Sequence, residues 1–139
     1  MECADGYFQT VIADSHSHGA PPERILLASG KIYYELLHER ERLGRESVAI
    51  VRIEQLYPFP LEALAAALST YPDGTPAHWV QEEPENMGAW RTLRVQFGET
   101  LLVKFPFSAV TRPASASPAT GSASRHRLEQ ESLLRQALS

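Results

Sequence analysis

Short apolar runs alternate with amphipathic segments along the chain, a pattern that is typical of strands followed by helices. The run 25–30 predicts a strand buried on both faces, and apolar positions with a period near 3.6 over 31–43 predict a helix. Gly44 stands at the expected C-cap of that helix. The run 47–53 and the i, i+3, i+4, i+7 spacing within 61–71 predict a second strand and helix.

A third unit is predicted from a strand at 78–81, followed by the acidic residues 82–85 and a helix. That helix is expected to carry Met87, Trp90, Leu93 and Phe97 on one face. The remaining pattern predicts a fourth strand within 104–110 and a closing helix at 128–138, with Ser122 or Ser124 available as its cap.

Three consecutive strand–helix units predict an α/β fold with right-handed crossovers. We expect a three-layer sandwich with a mostly parallel sheet of about five strands and helices on both faces. Residues 1–24 contain one short edge strand at 8–12 and a polar loop. The α/β domain itself is therefore expected to occupy 25–139.

Composition narrows the class of protein. The 139 residues fit one domain, and a formal charge of -4 argues against a nucleic-acid partner. A mean hydropathy of -0.26 and the lack of an apolar run of about 20 residues argue against a membrane span.

Cys3 is the single cysteine, so no internal disulfide is expected, and the first ten residues do not resemble a secretory signal. A reducing, cytosolic setting is favoured.

Candidate chemistry in the residues is weak. Ser29-Gly30-Lys31 lies between a strand and a helix, but it lacks the first glycine and the Ser or Thr of a phosphate loop. No Gly-x-Gly-x-x-Gly dinucleotide motif occurs. Asp14, His16 and His18 are spaced so that their side chains could bind one metal ion. A solvated polar loop is nevertheless the favoured interpretation of this segment.

Two charged segments remain as candidates. The acidic run 82–85 follows a predicted parallel strand, where open α/β sheets commonly bind ligands. Its alternative role is to place carboxylates at a helix N-terminus, where they bind free amides. Arg112, Arg125, His126 and Arg127 bracket a Ser/Pro/Ala-rich loop and could bind an anion or neighbouring acids, or form a solvated basic tail.

Three motifs in order resemble one family. They are RIEQLYPFP at 52–60, QEEPENMGAW at 81–90 and RPASASPATGS at 112–122. With further matches at 29–34 and in the last helix, the resemblance covers nearly all of 7–138. The chain is similar to the C-terminal part of the 2-oxoglutarate dehydrogenase E1 component, a transketolase C-terminal-like domain.

The resemblance implies a function in a larger enzyme. E1 is a thiamine-diphosphate-dependent oxidoreductase of the tricarboxylic acid cycle that uses Mg, decarboxylates its substrate and transfers the succinyl group to E2. This domain packs against the remaining E1 domains and contributes to the dimer. Only Asp5-Gly6 and Asp73-Gly74 occur here, without the Gly-Asp-Gly and asparagine signature of the cofactor site. We therefore expect no cofactor in this chain, no catalysis by it alone, and an ordered loop at 112–122.

The resemblance also points to site residues. Actinobacterial relatives bind acetyl-CoA at a site that includes a glutamine matching Gln55. In those relatives arginines cluster at the positions of 61–63, and this chain lacks them. We expect no catalytic or metal-binding residue, and a set of interface or pocket residues: Arg52, Gln55, Glu82, Glu83, Asn86, Arg112 and His126.

Two alternatives stay open. An E1 that acts on 2-oxoadipate has similar C-terminal motifs. An independent module could bind a small anionic ligand or nucleotide near Glu82 and Arg112. Within the E1 interpretation, the location is cytoplasmic in a bacterium and the mitochondrial matrix in a eukaryote.

Overall fold

A computed structural model describes residues 10–14, 21–56, 59–112 and 123–139, and these form six strands and four helices. In chain order the elements are β1 (Val11–Ile12), β2 (Arg24–Ala28), α1 (Lys31–Leu43), β3 (Val48–Ile53), α2 (Leu61–Ala67), β4 (Ala77–Pro84), α3 (Trp90–Phe97), β5 (Thr100–Leu101), β6 (Phe105–Arg112) and α4 (Ala123–Leu138).

The strands form one sheet in the order β1-β3-β2-β4-β6-β5. The four central strands β3, β2, β4 and β6 are parallel, whereas β1 and β5 are antiparallel to their neighbours. The predicted α/β fold with a mostly parallel sheet is confirmed, with six strands in place of about five. The missed strand, β5, has two residues, which is too short to show any alternation of apolar and polar positions.

Helices cover both faces of the sheet, so the predicted three layers are present. On one face α1 and α4 pack over Leu26 and Ile50. On the other face α2 and α3 pack over Leu27 and Trp79. Because β2 is central, its side chains from Ile25 onward are at most 1% exposed, as its continuous apolar run predicts.

Two helix boundaries differ from those that the sequence pattern predicts. α2 ends at Ala67, not at 71, because Ser69 N–H and Tyr71 N–H bond carbonyls three residues back and the chain turns. α4 begins at Ala123, not at 128. Ser124 therefore lies inside the helix and cannot be its cap, while Ser122 is outside the described residues.

The interpretation of the acidic run as a helix N-terminus is wrong. β4 continues through Pro84, with an irregular register between Val80 and Pro84, and α3 begins only at Trp90. Met87 consequently lies outside the helix and is 45% exposed. In the neighbouring strand, β6 includes Arg112, which pairs with Pro84, so most of the loop expected to be ordered, 113–122, lies outside the described residues and stays a prediction.

The outer edge of β3 is closed partly by side chains. β1 covers only Arg52 and Ile53 of β3. Beyond it, Asp14 Oδ2 accepts the Ile50 N–H at 3.1 Å, and Arg40 donates to Asp14 at 2.8 Å and to the Val48 carbonyl at 2.9 Å. Asp14 is thus a buried structural residue rather than part of a solvated loop. His16, His18 and Cys3 lie outside the described residues, and the division of the chain at residue 24 stays a prediction.

Candidate functional site

The parallel strands bring most of the expected site residues to one edge of the sheet. β2, β3, β4 and β6 all end at this edge, which we call the carboxyl edge. Arg52 lies near the end of β3, Glu82 and Glu83 lie near the end of β4, and Arg112 is the last residue of β6. The carboxyl edge is also where ligands of open α/β sheets bind, so the topology supports it as the candidate site.

Gln130 of α4 joins four elements at the carboxyl edge. Its Oε1 accepts a hydrogen bond from Arg112 Nη2 at 2.6 Å. Its Nε2 donates to Glu35 Oε1 at 2.8 Å and to Glu82 Oε1 at 3.1 Å. Arg112 Nη1 also lies 3.4 Å from Glu129 Oε1. We call these five residues the Gln130 network; it links α1, β4, β6 and α4.

The positive charge of Arg112 is already balanced within the Gln130 network. Arg112 faces Glu129 and the Gln130 amide, and only 12% of its side chain is exposed. Lys31, 3.4 Å from Glu35, is 77% exposed and belongs to the surface. An anion that approached Arg112 would have to compete with carboxylates already in place. This geometry disfavours the small anionic ligand considered for Glu82 and Arg112.

Arg52 forms a second cluster at the carboxyl edge. Its guanidinium lies over the rings of Tyr34 at 4.9 Å and Tyr33 at 5.4 Å, and its Nη1 donates to the Tyr34 hydroxyl. Its Nε is 2.9 Å from Glu54 Oε2. Burial raises the pKa of Tyr33 above its ordinary value. Gln55, two residues beyond β3, is half-buried.

Sequence reasoning missed the role of Gln81, which is 3% exposed. Its Oε1 accepts from Trp79 Nε1 at 2.9 Å and from the Trp90 N–H at 3.0 Å. Its Nε2 donates to the carbonyls of Met87 at 2.7 Å and Pro84 at 2.9 Å, with Glu83 at 3.3 Å. We call this the Gln81 network. The available signal was an amide side chain that directly follows the apolar residues Trp79 and Val80, since buried amides require partners.

The Gln81 network fixes the shape of the loop between β4 and α3. Gly88 has φ +69°, and a Cβ there would lie 3.0 Å from Gln81 Oε1. Both the backbone conformation and the space therefore favour glycine at this position. Asn86 in this loop and Glu83 in β4 are exposed, and Asn86 lines an open groove of about 760 Å³ beside α3.

The structure brings together only some of the expected residues. Glu82 and Arg112 meet through Gln130, while Arg52 lies in its own cluster. Glu83, Asn86 and His126 are exposed, and none of the contacts resolved within the described residues connects their side chains to either cluster.

Asp73-Gly74 lies within the described residues, without the Gly-Asp-Gly and asparagine signature of a thiamine diphosphate site. Within the described ranges, no group of three or more His, Cys, Asp or Glu side chains could hold a metal ion. Asp73, which precedes Gly74, is 85% exposed and lies 3.6 Å from Lys104. Asp5-Gly6 is outside those ranges.

Burial lowers the pKa of His78, and its Nδ1 pairs with Ser108 Oγ. His78 nevertheless lies near the start of β4, away from the carboxyl edge.

No helix in the described part of the chain is long and apolar enough to cross a bilayer.

Comparisons with known proteins agree on one family. A family model described as "2-oxoglutarate dehydrogenase C-terminal" matches residues 2–138. The chain is 40% identical over 137 residues to the 2-oxoglutarate dehydrogenase E1 component of Cupriavidus necator, covering 98% of this chain and 14% of that protein. It is 42% identical over 139 residues to the Haemophilus influenzae E1 component, covering 99% and 15%.

Two further comparisons extend this result. The chain is 42% identical over 134 residues to the 2-oxoadipate dehydrogenase complex component E1 of Xenopus laevis, covering 95% of this chain and 14% of that protein. A solved structure titled "Split gene transketolase, inactive beta4 tetramer" matches with a TM-score of 0.57 and 13% identity, over 96% of this chain and 43% of that one. At that identity the likeness shows the fold alone.

Proposed function

The chain belongs to the 2-oxoglutarate dehydrogenase C-terminal family, and on that premise we propose that it acts as the C-terminal domain of a thiamine-diphosphate-dependent E1 component. The observation that carries the proposal is the family match over residues 2–138. The chain spans only 14–15% of the length of the curated E1 relatives named above, so the activity is a property of a much longer polypeptide.

The role of this domain in such an enzyme is structural and interfacial. Thiamine diphosphate with Mg²⁺ supplies the electron sink for decarboxylation of a 2-oxo acid. Because the sequence lacks the Gly-Asp-Gly and asparagine signature that holds this group, we place it in the remaining E1 domains. The isolated chain is accordingly inactive. Its partners are those domains, a second E1 subunit and, through the complex, the E2 succinyltransferase.

The site residues of this proposal act in contacts rather than in catalysis. They are Arg52, Gln55, Glu82, Glu83, Asn86, Arg112 and His126. Their support is their position, since strand ends at the carboxyl edge carry four of them, Gln55 follows β3 and the β4–α3 loop carries Asn86. The location that follows is the bacterial cytoplasm or the mitochondrial matrix.

The experiment uses a full-length chimera. The matching 137 residues of the Cupriavidus E1 component are replaced by this chain, and 2-oxoglutarate-dependent reduction of ferricyanide is measured. We expect activity within about tenfold of the parent, and none from the isolated chain at equal concentration. A chimera that folds, as judged by circular dichroism, and yet has no activity contradicts the proposal.

A 2-oxoadipate dehydrogenase E1 is the second candidate, and the 42% identity to the Xenopus relative supports it. The two candidates differ in substrate, which we assign to domains outside this chain. The same replacement in the Xenopus protein is expected to keep the preference for 2-oxoadipate, whereas a preference that follows the inserted chain would place specificity within these 139 residues.

Calorimetry tests the remaining alternative, an independent binding module. Titration of the isolated chain with inorganic phosphate and with 2-oxoglutarate is expected to release no heat of binding. A dissociation constant in the micromolar range for either would favour the module.

A further inference from the structure

We propose that the outer edge of β6, over residues 108–112, binds the same edge of a second copy of this chain, so that two sheets join into one. The pairing is antiparallel and two-fold, with Ala109 of each copy opposite Thr111 of the other. The surface is a side edge of the sheet rather than the carboxyl edge. The inference concerns this domain by itself and does not rest on the proposed function.

The strand β6 has a neighbour along most of its inner edge but only at the start of its outer edge. On the inner side it pairs with β4 from Phe107 to Arg112. On the outer side β5 pairs only with Phe105 and Pro106, and the last bond runs from the Phe107 N–H to the Glu99 carbonyl at 2.8 Å. Among the described residues, no strand lies beside the outer edge of β6 over 108–112.

The alternating direction of the backbone identifies the groups on this free edge. Phe107 directs its N–H outward, to the segment of β5, whereas the Arg112 carbonyl points inward and accepts the Glu85 N–H at 3.1 Å. Both observations place the N–H and C=O groups of Ala109 and Thr111 on the outer side. None of these four groups has a backbone partner within the described part of the chain. The edge therefore offers two donors and two acceptors.

The opposite edge of the sheet, along β3, is protected. There β1 covers two residues, and the Asp14 carboxylate accepts the Ile50 N–H at 3.1 Å. Arg40 donates to the Val48 carbonyl at 2.9 Å. Natural edge strands are commonly protected by prolines and charged residues, but 108–111 contain neither. The edge of β6 is therefore suited to pair with another strand.

The spacing of the free groups identifies the partner. In a two-fold antiparallel pair centred on Val110, Ala109 lies opposite Thr111 of the second copy, and each such pair exchanges two hydrogen bonds. Two pairs of this kind use all four free groups of each copy. A register moved towards Phe107 would oppose Thr111 to an N–H that is already bonded. Because the edge is self-complementary in one register, we commit to a second copy as its occupant.

The side chains along the edge are compatible with this pairing. Val110 of one copy faces Val110 of the other, and β-branched cross-strand pairs stabilise antiparallel sheets. Arg112 lies opposite Ser108 of the second copy, so no like charges meet within 108–112. Ala109 and Thr111 are both partly exposed, which leaves the edge accessible. A two-fold interface uses the same patch on both copies, so the assembly closes as a dimer.

Sedimentation velocity of this chain, with one pair of matched variants, tests the inference. Thr111→Pro removes an N–H that faces away from the sheet, which an edge strand tolerates, and the dimer loses two of its bonds. Thr111→Val keeps the N–H and the β-branched shape. We expect a dissociation constant below about 100 μM for the parent chain and for Thr111→Val, and association weaker by about tenfold or more for Thr111→Pro. Urea denaturation checks that both variants are folded.

Amide hydrogen exchange gives a readout that needs no variant. The amides of Ala109 and Thr111 should exchange more slowly, by about tenfold, well above the dissociation constant than well below it. The amides of Val110 and Arg112 face β4 and should not change. A chain that stays monomeric up to about 500 μM, equal association of the two Thr111 variants, or a dimer that leaves 109 and 111 unprotected overturns the inference. These measurements use this chain alone, so their failure is distinguishable from failure of the E1 chimera.

Discussion

Two glutamines near the carboxyl ends of the strands organise two different kinds of network. Gln81 is 3% exposed, and its partners all lie within nine residues of it in the chain. Gln130 is half-buried and collects side chains from three elements besides its own, with Glu35 95 residues away. Both amides use their oxygen and their nitrogen. Among the described residues, Arg112 Nε of the Gln130 network is a buried side-chain atom without a hydrogen-bond partner, and the Gln81 network contains no such atom.

The difference between the two networks indicates how much each one contributes to the stability of the domain. A buried network in which every group is paired holds one conformation, because breaking any bond leaves a dry polar group. A half-buried network with unpaired atoms contributes less to the domain itself, since water can replace its bonds. We infer that the Gln81 network shapes the β4–α3 loop and that the Gln130 network contributes less to the stability of the domain.

The largest effect should come from Gln81→Leu. The change removes the Gln81 partner of Trp79 Nε1, of the Trp90 N–H and of three carbonyls, and we expect a loss of about 3 kcal/mol in the free energy of unfolding. Urea denaturation measures it. Gln96→Leu is the matched control on the exposed face of α3 and should change stability by less than about 0.5 kcal/mol. Equal effects would show that Gln81 is not a structural centre.

Gly88→Ala should come next. The new Cβ would meet the Gln81 amide at 3.0 Å and would also occupy a positive φ, so we expect a loss of about 2 kcal/mol. Gly44→Ala has a similar φ of +67° but no atom within 4 Å of the new Cβ. It isolates the backbone cost of about 1 kcal/mol. If the two variants lose the same stability in parallel urea titrations, Gln81 is not held rigidly against Gly88.

Gln130→Leu should have a smaller effect on the isolated domain. Its partners Arg112, Glu35 and Glu82 are all partly exposed, so water replaces part of what is lost and we expect about 1 kcal/mol. In the E1 chimera the same variant should lower activity more than its stability change explains. Loss of 3 kcal/mol or more in the isolated domain would place Gln130 in the same class as Gln81.

The smallest effect should be a gain. Leu102 and Val103 connect β5 to β6 with φ of +57° each, and Val103 is 94% exposed, so no side-chain burial compensates its strain. Val103→Gly should therefore raise the free energy of unfolding by about 0.5–1 kcal/mol. A thermal melt measures it, with the exposed Val95→Gly in α3 as the control that should destabilise. A loss at Val103 would show that positive φ is not costly there.

Much of the fold follows from local pattern. The central strands and α1 were predictable because burial on two faces gives continuous apolar runs and a helix on the sheet gives a period near 3.6. The Gly44 cap was predictable because few other residues accept a positive φ. The extension of β4 through the acidic run was not, because Glu82–Glu83 have low strand propensity and their pairing depends on β6, far along the chain.

The candidate site also has one part that was predictable from local sequence pattern and one part that was not. The sequence by itself determined the family, the parallel architecture and the strand ends that supply Arg52, Glu82 and Arg112, because motifs and periodicity are local properties of the chain. The tertiary structure alone decided that Arg112 is engaged by Gln130 and Glu129 and that Asp14 closes the edge of β3. These depend on which distant segments meet, and burial and hydrogen bonding are set by those contacts rather than by residue type.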